Sequence, residues 1–536
     1  MDSCIYENGK IFTSDVENPY GEAMLVEDGV IRWVGKKEEI PAGNYKRVDL
    51  KGRRVLPGFV DAHMHPVMLA DYSKQISALP PKVHSIEELI EEIRKCRERQ
   101  GPGKWCQGWG YDEGKFAERR SINRYDLDKG CSDSPVSIIR TCGHIRCVNS
   151  KALEIAGIDR NTPDPEGGEI ERDKNGEPTG VLKENARNLV TPFLPVQQRE
   201  DTVQNLVELG KLLTSQGIVA VTDMGNLDDG DNYPLYQDAA KKGFQQEVGV
   251  YYMWDFYMNR KDFTIPRERL DKNQQIFAAG LKLIGDGSVS GRTAWMAEPY
   301  LDTDSCGISV CTDEQIETAI AFCKKYGCQL SMHAMGTRAI SRVVDWAAKE
   351  EKWNQGEEPY VRVEHITLPS EDSIQKAAEK GIGFVTQPIF LYAEIESYLK
   401  NLGVARMKTC YPVKKMLDSG VRLCFSTDAP ATSWAVPSDP FPNIKGAVTR
   451  RAYDGTDCGI DQAVDVETAI SLYTREAAKM VGFERLGQLR EGYKADFIVL
   501  DKDILAIPPE EIDTVQVDET YIDGACAYRR GSDAQQ

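Results

Sequence analysis

Basic residues are in deficit. Lys and Arg number 66 against 84 Asp and Glu in 536 residues, a formal net charge of −18. Phosphate binding needs a basic face, so nucleic acid is excluded as a partner, and adhesion to an anionic membrane with it. Long apolar runs are missing too: none approaches the roughly 18 residues of a membrane-crossing helix. The opening MDSCIYENGKIFTSD has no basic start followed by an apolar stretch, so no secretory signal is expected. The 14 cysteines form no C-x-x-C pair, which argues against a zinc ribbon or a disulfide scaffold. Many, such as Cys323 and Cys328, sit in apolar runs and read as reduced, buried thiols of a cytoplasmic protein. Internal repeats and low-complexity segments are absent. Histidine is scarce, with six in the chain, so the place of each is informative.

What is present is an ordinary globular mixture, 41% hydrophobic and 28% charged, with ample material for a large core. The ends are β-rich. Residues 4–13 and 23–34 read as strands, with Asp28-Gly29 as a hairpin turn, and 485–500 and 515–529 read likewise. Each end is thin for a stable sheet, so the two are expected to pair into one small β-sandwich. Between them, eight short runs rich in Val and Ile alternate with helix patterns: 55–63, 218–223, 247–254, 281–286, 329–334, 360–365, 382–388 and 421–428. Thr312 and Gln315 form a capping box, with Gly327 as the C-terminal cap. Ser85 and Glu88 read as a second box. The pattern is an α/β fold, a (β/α)8 TIM barrel. About 150 residues separate its first two runs, too many for one helix and two loops. The expected organisation is 1–55 and 481–536 as the composite sandwich and 56–480 as the barrel, with an insertion at about 67–200 over the barrel mouth.

Five chemically capable side chains end barrel strands. His63 and His65 form an H-x-H after the first run, and residues two apart on a strand share a face. His333 ends the fifth run, His365 the sixth and Asp428 the eighth. C-terminal strand ends form the active-site face of such barrels. Imidazoles with a carboxylate make a zinc-type ligand set. Lys282 lies inside the fourth run, between Leu281 and Leu283. A lysine facing a barrel interior is costly unless it pairs, for example with Asp286, or reacts with CO2 to give a carbamate that can bridge two metals. Asp286, Ser288 and Arg292 after that lysine, and Asp223 after the second run, read equally as pocket or loop residues. Of the aromatics near strand ends or in the insertion, Trp109, Trp295 and Phe390 are taken as pocket wall, ahead of Tyr111, Tyr392 and Trp434. His84 precedes a helix start and reads as exposed and idle.

The motifs LPGFVDAHMHP, GWGYDEGKF, GHIRCVNSKALEIAGI, LKLIGDGSVSGRTA, HAMGTRAI, RVEH, STDAP and GQLREGYKADFIVLD together resemble amidohydrolase family 3. That branch of the amidohydrolase superfamily includes N-substituted formamide deformylases, and the resemblance covers nearly the whole chain. It implies two zinc ions per chain, the first on His63, His65 and Asp428, the second on His333 and His365, with carboxylated Lys282 between them. His144 matches a family histidine that polarises the reacting carbonyl. Thr337 stands where the family commonly has an acid, so no role for that carboxylate carries over. The implied function is hydrolysis of a C–N bond, amide or N-formyl, in a small, partly apolar substrate. Metal-bound hydroxide would attack, and Asp428 would shuttle the proton. The alternatives are the same site acting on a cyclic amide, lactone or amine, or a non-catalytic regulatory protein on the same scaffold. A homodimer is the expected assembly.

Overall fold

A computed structural model describes residues 3–141, 145–225, 230–258, 260 and 262–531. The chain divides into two compact units, residues 1–67, 206–432 and 438–536 in one, and 68–205 with 433–437 in the other.

The first unit holds an eight-stranded parallel sheet. Its strands are β1 (Phe59–Met64), β2 (Ile218–Asp223), β3 (Glu247–Met253), β4 (Ile276–Ile284), β5 (Gln329–Ala334), β6 (Val361–His365), β7 (Gly383–Thr386) and β8 (Arg422–Phe425). Each pairs with the next in order. Between β8 and β1 the chain that follows β8 closes the ring at its C-terminal end. Asp428 N–H donates to the His63 carbonyl at 2.8 Å, and His65 N–H donates to the Ala429 carbonyl at 2.8 Å. The strands are buried almost throughout, as parallel strands covered on both faces must be. This is the (β/α)8 barrel.

The expected first run, 55–63, is two strands. Arg54–Pro57 pairs antiparallel with Phe497–Leu500 and parallel with Lys10–Phe12, in a sheet built from both chain ends. Pro57 has no N–H to continue a ladder. Gly58 then passes against β2, where an added Cβ would lie 2.5 Å from Val219, so no side chain fits. Phe59 opens the barrel strand.

That six-stranded sheet faces a four-stranded one made from residues 3–49. Between them, Phe497 and Tyr521 stack at 4.3 Å between ring centroids, and Tyr6 meets both edge-on. The two ends share one apolar core, with Ile11, Met24, Val26, Ile31, Val55 and Val499. The Asp28-Gly29 hairpin has φ of 49° and 76°, the left-handed pair that a two-residue turn between twisted strands requires. Of the expected strand at 485–500, only Phe497–Leu500 is strand.

The Thr312 box forms as read, with Gly327 left-handed at φ 65° closing the helix Asp313–Tyr326. Thr312→Ala should cost about 1 kcal/mol, seen as a small drop in the unfolding midpoint with no change in metal content.

The second unit has its own six-stranded mixed sheet and its own core, with the helix Ile86–Gln100 burying Leu89, Ile90, Ile93 and Cys96. Ser85 accepts the Glu88 N–H at 3.2 Å, but the Glu88 carboxylate returns to His84 N–H at 2.6 Å, not to Ser85. The box closes one residue early, and exposed His84 serves through its backbone.

Candidate metal centre

β1, β5 and β6 and the chain after β8 bring four imidazoles and one carboxylate together. Ring centroids are 5.7 Å apart for His63 and His65, 4.9 Å for His63 and His365, and 4.4 Å for His333 and His365. One Asp428 oxygen, Oδ1, lies 3.3 Å from Nε2 of both His63 and His65. His63, His365 and Asp428 each offer a donor atom within 4.8 Å of the other two. His365 and Asp428 have φ of 75° and 58°, conformations costly for residues with a Cβ and held here by the surrounding structure.

The far nitrogen of each ring fixes its tautomer. His63 Nδ1 meets Glu364 Oε2 at 2.6 Å and His65 Nδ1 meets the Gly225 carbonyl at 2.5 Å. Oxygens without hydrogen can only accept, so both Nδ1 atoms carry the proton. Gln387 donates its amide to Ser426 at 2.7 Å, which turns its oxygen to His365 Nδ1 at 3.0 Å. His333 is reversed: its Nε2 donates to the Gly287 carbonyl at 2.9 Å. Lone pairs therefore remain on Nε2 of His63, His65 and His365 and on Nδ1 of His333. Hydrogen bonds of this kind, on the outer nitrogen, are how metal-ligating histidines are oriented.

Two of these lone pairs, those of His63 and His65, face another acceptor. Asp428 Oδ1 is buried with no hydrogen-bond partner among the described residues, and so is Lys282 Nζ. A carboxylate oxygen 3.3 Å from two imidazole lone pairs is repulsive unless a cation or a proton lies among them. The donor set and the orphaned oxygen thus fit a metal ion.

The electrostatics agree. Burial raises the Asp428 carboxyl, but charge on His63, His65 and His365, when those rings are protonated, outweighs it and holds it well below the usual range. Burial and the Lys282 charge bring His333 down to about 4, so it is neutral at pH 7, as a ligand must be. His365 is pushed well below its ordinary value by burial and by His333. Burial brings Lys282 down to about 8, against the pull of Glu364 and Asp428.

Several other residues brace this frame. Asp286 accepts N–H groups from Trp295 (2.8 Å), Met335 (3.0 Å) and Gly336 (2.8 Å), and burial pushes its carboxyl up to about 7. Its Oδ1 is 3.4 Å from His333 Nε2. It anchors the loops that flank His333. Asp223 accepts from Gly225 N–H at 2.7 Å and Asn232 at 3.0 Å, fixing the turn whose carbonyl orients His65. Arg292 donates to Asn401 at 2.7 Å, and Ser288 accepts the Gly291 N–H at 3.0 Å; both hold their own loop. The Trp295 ring lies near the Arg342 guanidinium, 5.9 Å away, in a surface cavity with Thr337. Phe390 stacks on His365 at 5.9 Å. Tyr392 is turned to Asp513, its hydroxyl 3.3 Å from the carboxylate. Trp109, Tyr111 and Trp434 belong to the second unit, where Trp109 stacks on Tyr72. His144 lies outside the described residues.

Sequence reasoning missed Glu364, Arg362, Ser331 and Gln387. A signal existed: Arg362 and Glu364 are charged residues alternating with valines just before His365, and both are fully buried.

A profile of the amidohydrolase family matches residues 46–528. The chain belongs to amidohydrolase family 3. YtcJ of Bacillus subtilis (strain 168), named as a candidate amidohydrolase, is 31% identical across 98% of this chain and 99% of its own. The N-substituted formamide deformylase of Arthrobacter pascens is 28% identical across 98% of each chain. An uncharacterized metal-dependent hydrolase from Pyrococcus horikoshii OT3 superposes with a TM-score of 0.72 at 25% identity, covering 95% of this chain and 99% of that one. Amidohydrolase family 3 is a family of metal-dependent hydrolases. Among the described residues no helix is long and apolar enough to cross a membrane.

Proposed function

We propose that this amidohydrolase hydrolyses a C–N bond, amide or N-formyl, in a small, partly apolar substrate. The observation that carries the reading is Asp428: its bare Oδ1 is 3.3 Å from two imidazoles whose lone pairs are turned toward it. His63, His65 and Asp428 would hold one ion and His333 and His365 a second; zinc suits this nitrogen and oxygen set. Bound there, the metal would supply Lewis acidity toward the attacking water and the substrate carbonyl.

The residues supply the rest. Lys282, buried and drawn down to about 8, has access to the neutral amine that adds to CO2. The addition forms one N–C bond and releases one proton, leaving an anionic carbamate with two oxygens between the ligand pairs. Asp428, beside His63, His65 and His365, would take the proton from water and return it to the departing nitrogen. An amide needs both acts, and one carboxylate can perform them in turn. His144 would polarise the carbonyl. Phe390, stacked on His365, offers an apolar wall beside the reacting group.

The test is a panel of N-substituted formamides and simple amides, with cyclic amides, lactones and amines beside them. Turnover on formamides or amides should vanish with a chelator and return with zinc. Hydrolysis that survives complete metal removal defeats the proposal, as does activity confined to lactones or amines.

A further inference from the structure

We infer that Glu364 is a positioning residue: it fixes His63 in the tautomer that can bind metal, and Arg362 in turn decides which way that carboxylate serves. The inference rests on the metal-site reading above and adds two residues to it.

Glu364 and Arg362 lie two apart on β6, both with 0% exposure. Arg362 Nε donates to Glu364 Oε1 at 2.5 Å and a second guanidinium N–H reaches Oε2 at 3.0 Å. Ser331 on β5 also donates to Oε1, at 2.7 Å. Oε2, besides that longer Arg362 contact, accepts from His63 Nδ1 at 2.6 Å. The guanidinium is itself tied down, to the Tyr251 hydroxyl at 3.1 Å and the Ala62 carbonyl at 2.5 Å. A buried charge pair is retained at a desolvation cost, and here its geometry gives His63 a proton acceptor that cannot rotate away.

The consequence is specific. In Glu364→Gln the amide oxygen and amide NH2 must divide these two places. Arg362 can only donate and does so at both places, but its 2.5 Å contact at Oε1, with Ser331 beside it, against 3.0 Å at Oε2, makes the Oε1 place the closer and stronger call for an oxygen. The NH2 then faces His63 Nδ1 and needs a lone pair there. The ring proton moves to Nε2, against Asp428, and the ligand lone pair is lost. The same exchange behind a catalytic histidine elsewhere leaves geometry intact, fixes the wrong tautomer and costs about 10⁴ in kcat. Replacing Arg362 as well removes the constraint. In the double variant Arg362→Met, Glu364→Gln the amide is free to turn its oxygen to His63, and no buried charge is left without a partner.

The experiment titrates the metal-free full-length chain with Co2+ against a competing chelator and records the visible spectrum. Glu364→Gln should bind Co2+ about 10–100-fold more weakly than wild type, with an altered spectrum. The double variant should recover to within about tenfold of wild type despite being the larger change. Equal Co2+ affinity in wild type and Glu364→Gln overturns the inference, and so does a double variant that binds no better than the single. If the single variant does not fold, the double decides alone: folded with near wild-type affinity supports the inference, folded without metal overturns it. The wild type needs no variant. With 15N in its histidine rings, the apo chain should show hydrogen on Nδ1 of His63, and hydrogen on Nε2 overturns the inference. A wild type that binds no Co2+ at all defeats the metal-site reading itself.

Discussion

Asp428→Asn should keep metal and lose turnover by about 10²–10⁴-fold, the worth of general acid–base catalysis. Asn has the shape of Asp and retains one oxygen that can coordinate, but it cannot accept a proton near neutral pH. The position is unusual for an acid. Asp428 is 6% exposed, is held by its own N–H to the His63 carbonyl, and has φ of 58°. Charge on His63, His65 and His365, when those rings are protonated, overcomes burial and holds it well below the usual carboxylate range, and with the rings neutral a cation takes over that part. An acid so stabilised is a ligand at neutral pH, and it takes a proton only where a nearby cation makes water acidic enough to give one. The substituted amide has a second effect. Its NH2 can donate to one of the imidazole lone pairs 3.3 Å away, so metal should bind less tightly and the assay needs saturating zinc. Elemental analysis beside turnover separates the two effects. A metal-loaded variant with near-normal turnover means that another group moves the proton, and the acid–base role of Asp428 fails.

The barrel was legible because its strands are short apolar runs separated by helix caps, and the reactive residues sit where those runs stop. His63, His65, His333, His365 and Asp428 are far apart in sequence, yet strand-end position alone was enough to group them. The boundary at Pro57-Gly58 was not legible. Apolar residues continue on both sides, because the chain leaves one buried sheet and enters another with no change in hydropathy. Loop residues were ambiguous for a different reason. Asp286 follows Lys282 closely and invites pairing, but strand direction sends its carboxylate to the N–H groups of Trp295, Met335 and Gly336. Glu364 was hidden beside His365, since a motif draws attention to its ligand and away from the acid next to it. Its partner, His63, is 301 residues earlier, a pairing that only the closed barrel creates.

Lys282→Ala should lose both bound metal and turnover, and small carboxylates should restore part of each. Lys282 lies on β4 opposite Met253 on one side and Ser331 on the other, 2% exposed, with a nitrogen that has no partner among the described residues. An ammonium there would be a buried charge beside four histidines, and its field is one of the causes that bring His333 down. A cation site cannot be built around a second cation. A carbamate at Lys282 would reverse the sign, replacing a positive charge with a negative one able to bind metal. Its loss would remove that anionic ligand and with it Lewis-acid stabilisation worth several kcal/mol, about 10³-fold or more in rate. Alanine leaves a cavity where the lysine stem stood. Formate, acetate or propionate can enter with metal and supply the missing oxygens, though without the covalent tether. Lys282→Met is the companion variant, since it fills the space and should not be rescued. Metal content, turnover with and without added carboxylate, and a 13C carbamate signal after incubation with labelled bicarbonate measure each step. Normal metal content and turnover in Lys282→Ala, or a metal-loaded wild type with no carbamate signal, would falsify the bridge and leave Lys282 as a buried amine beside the site.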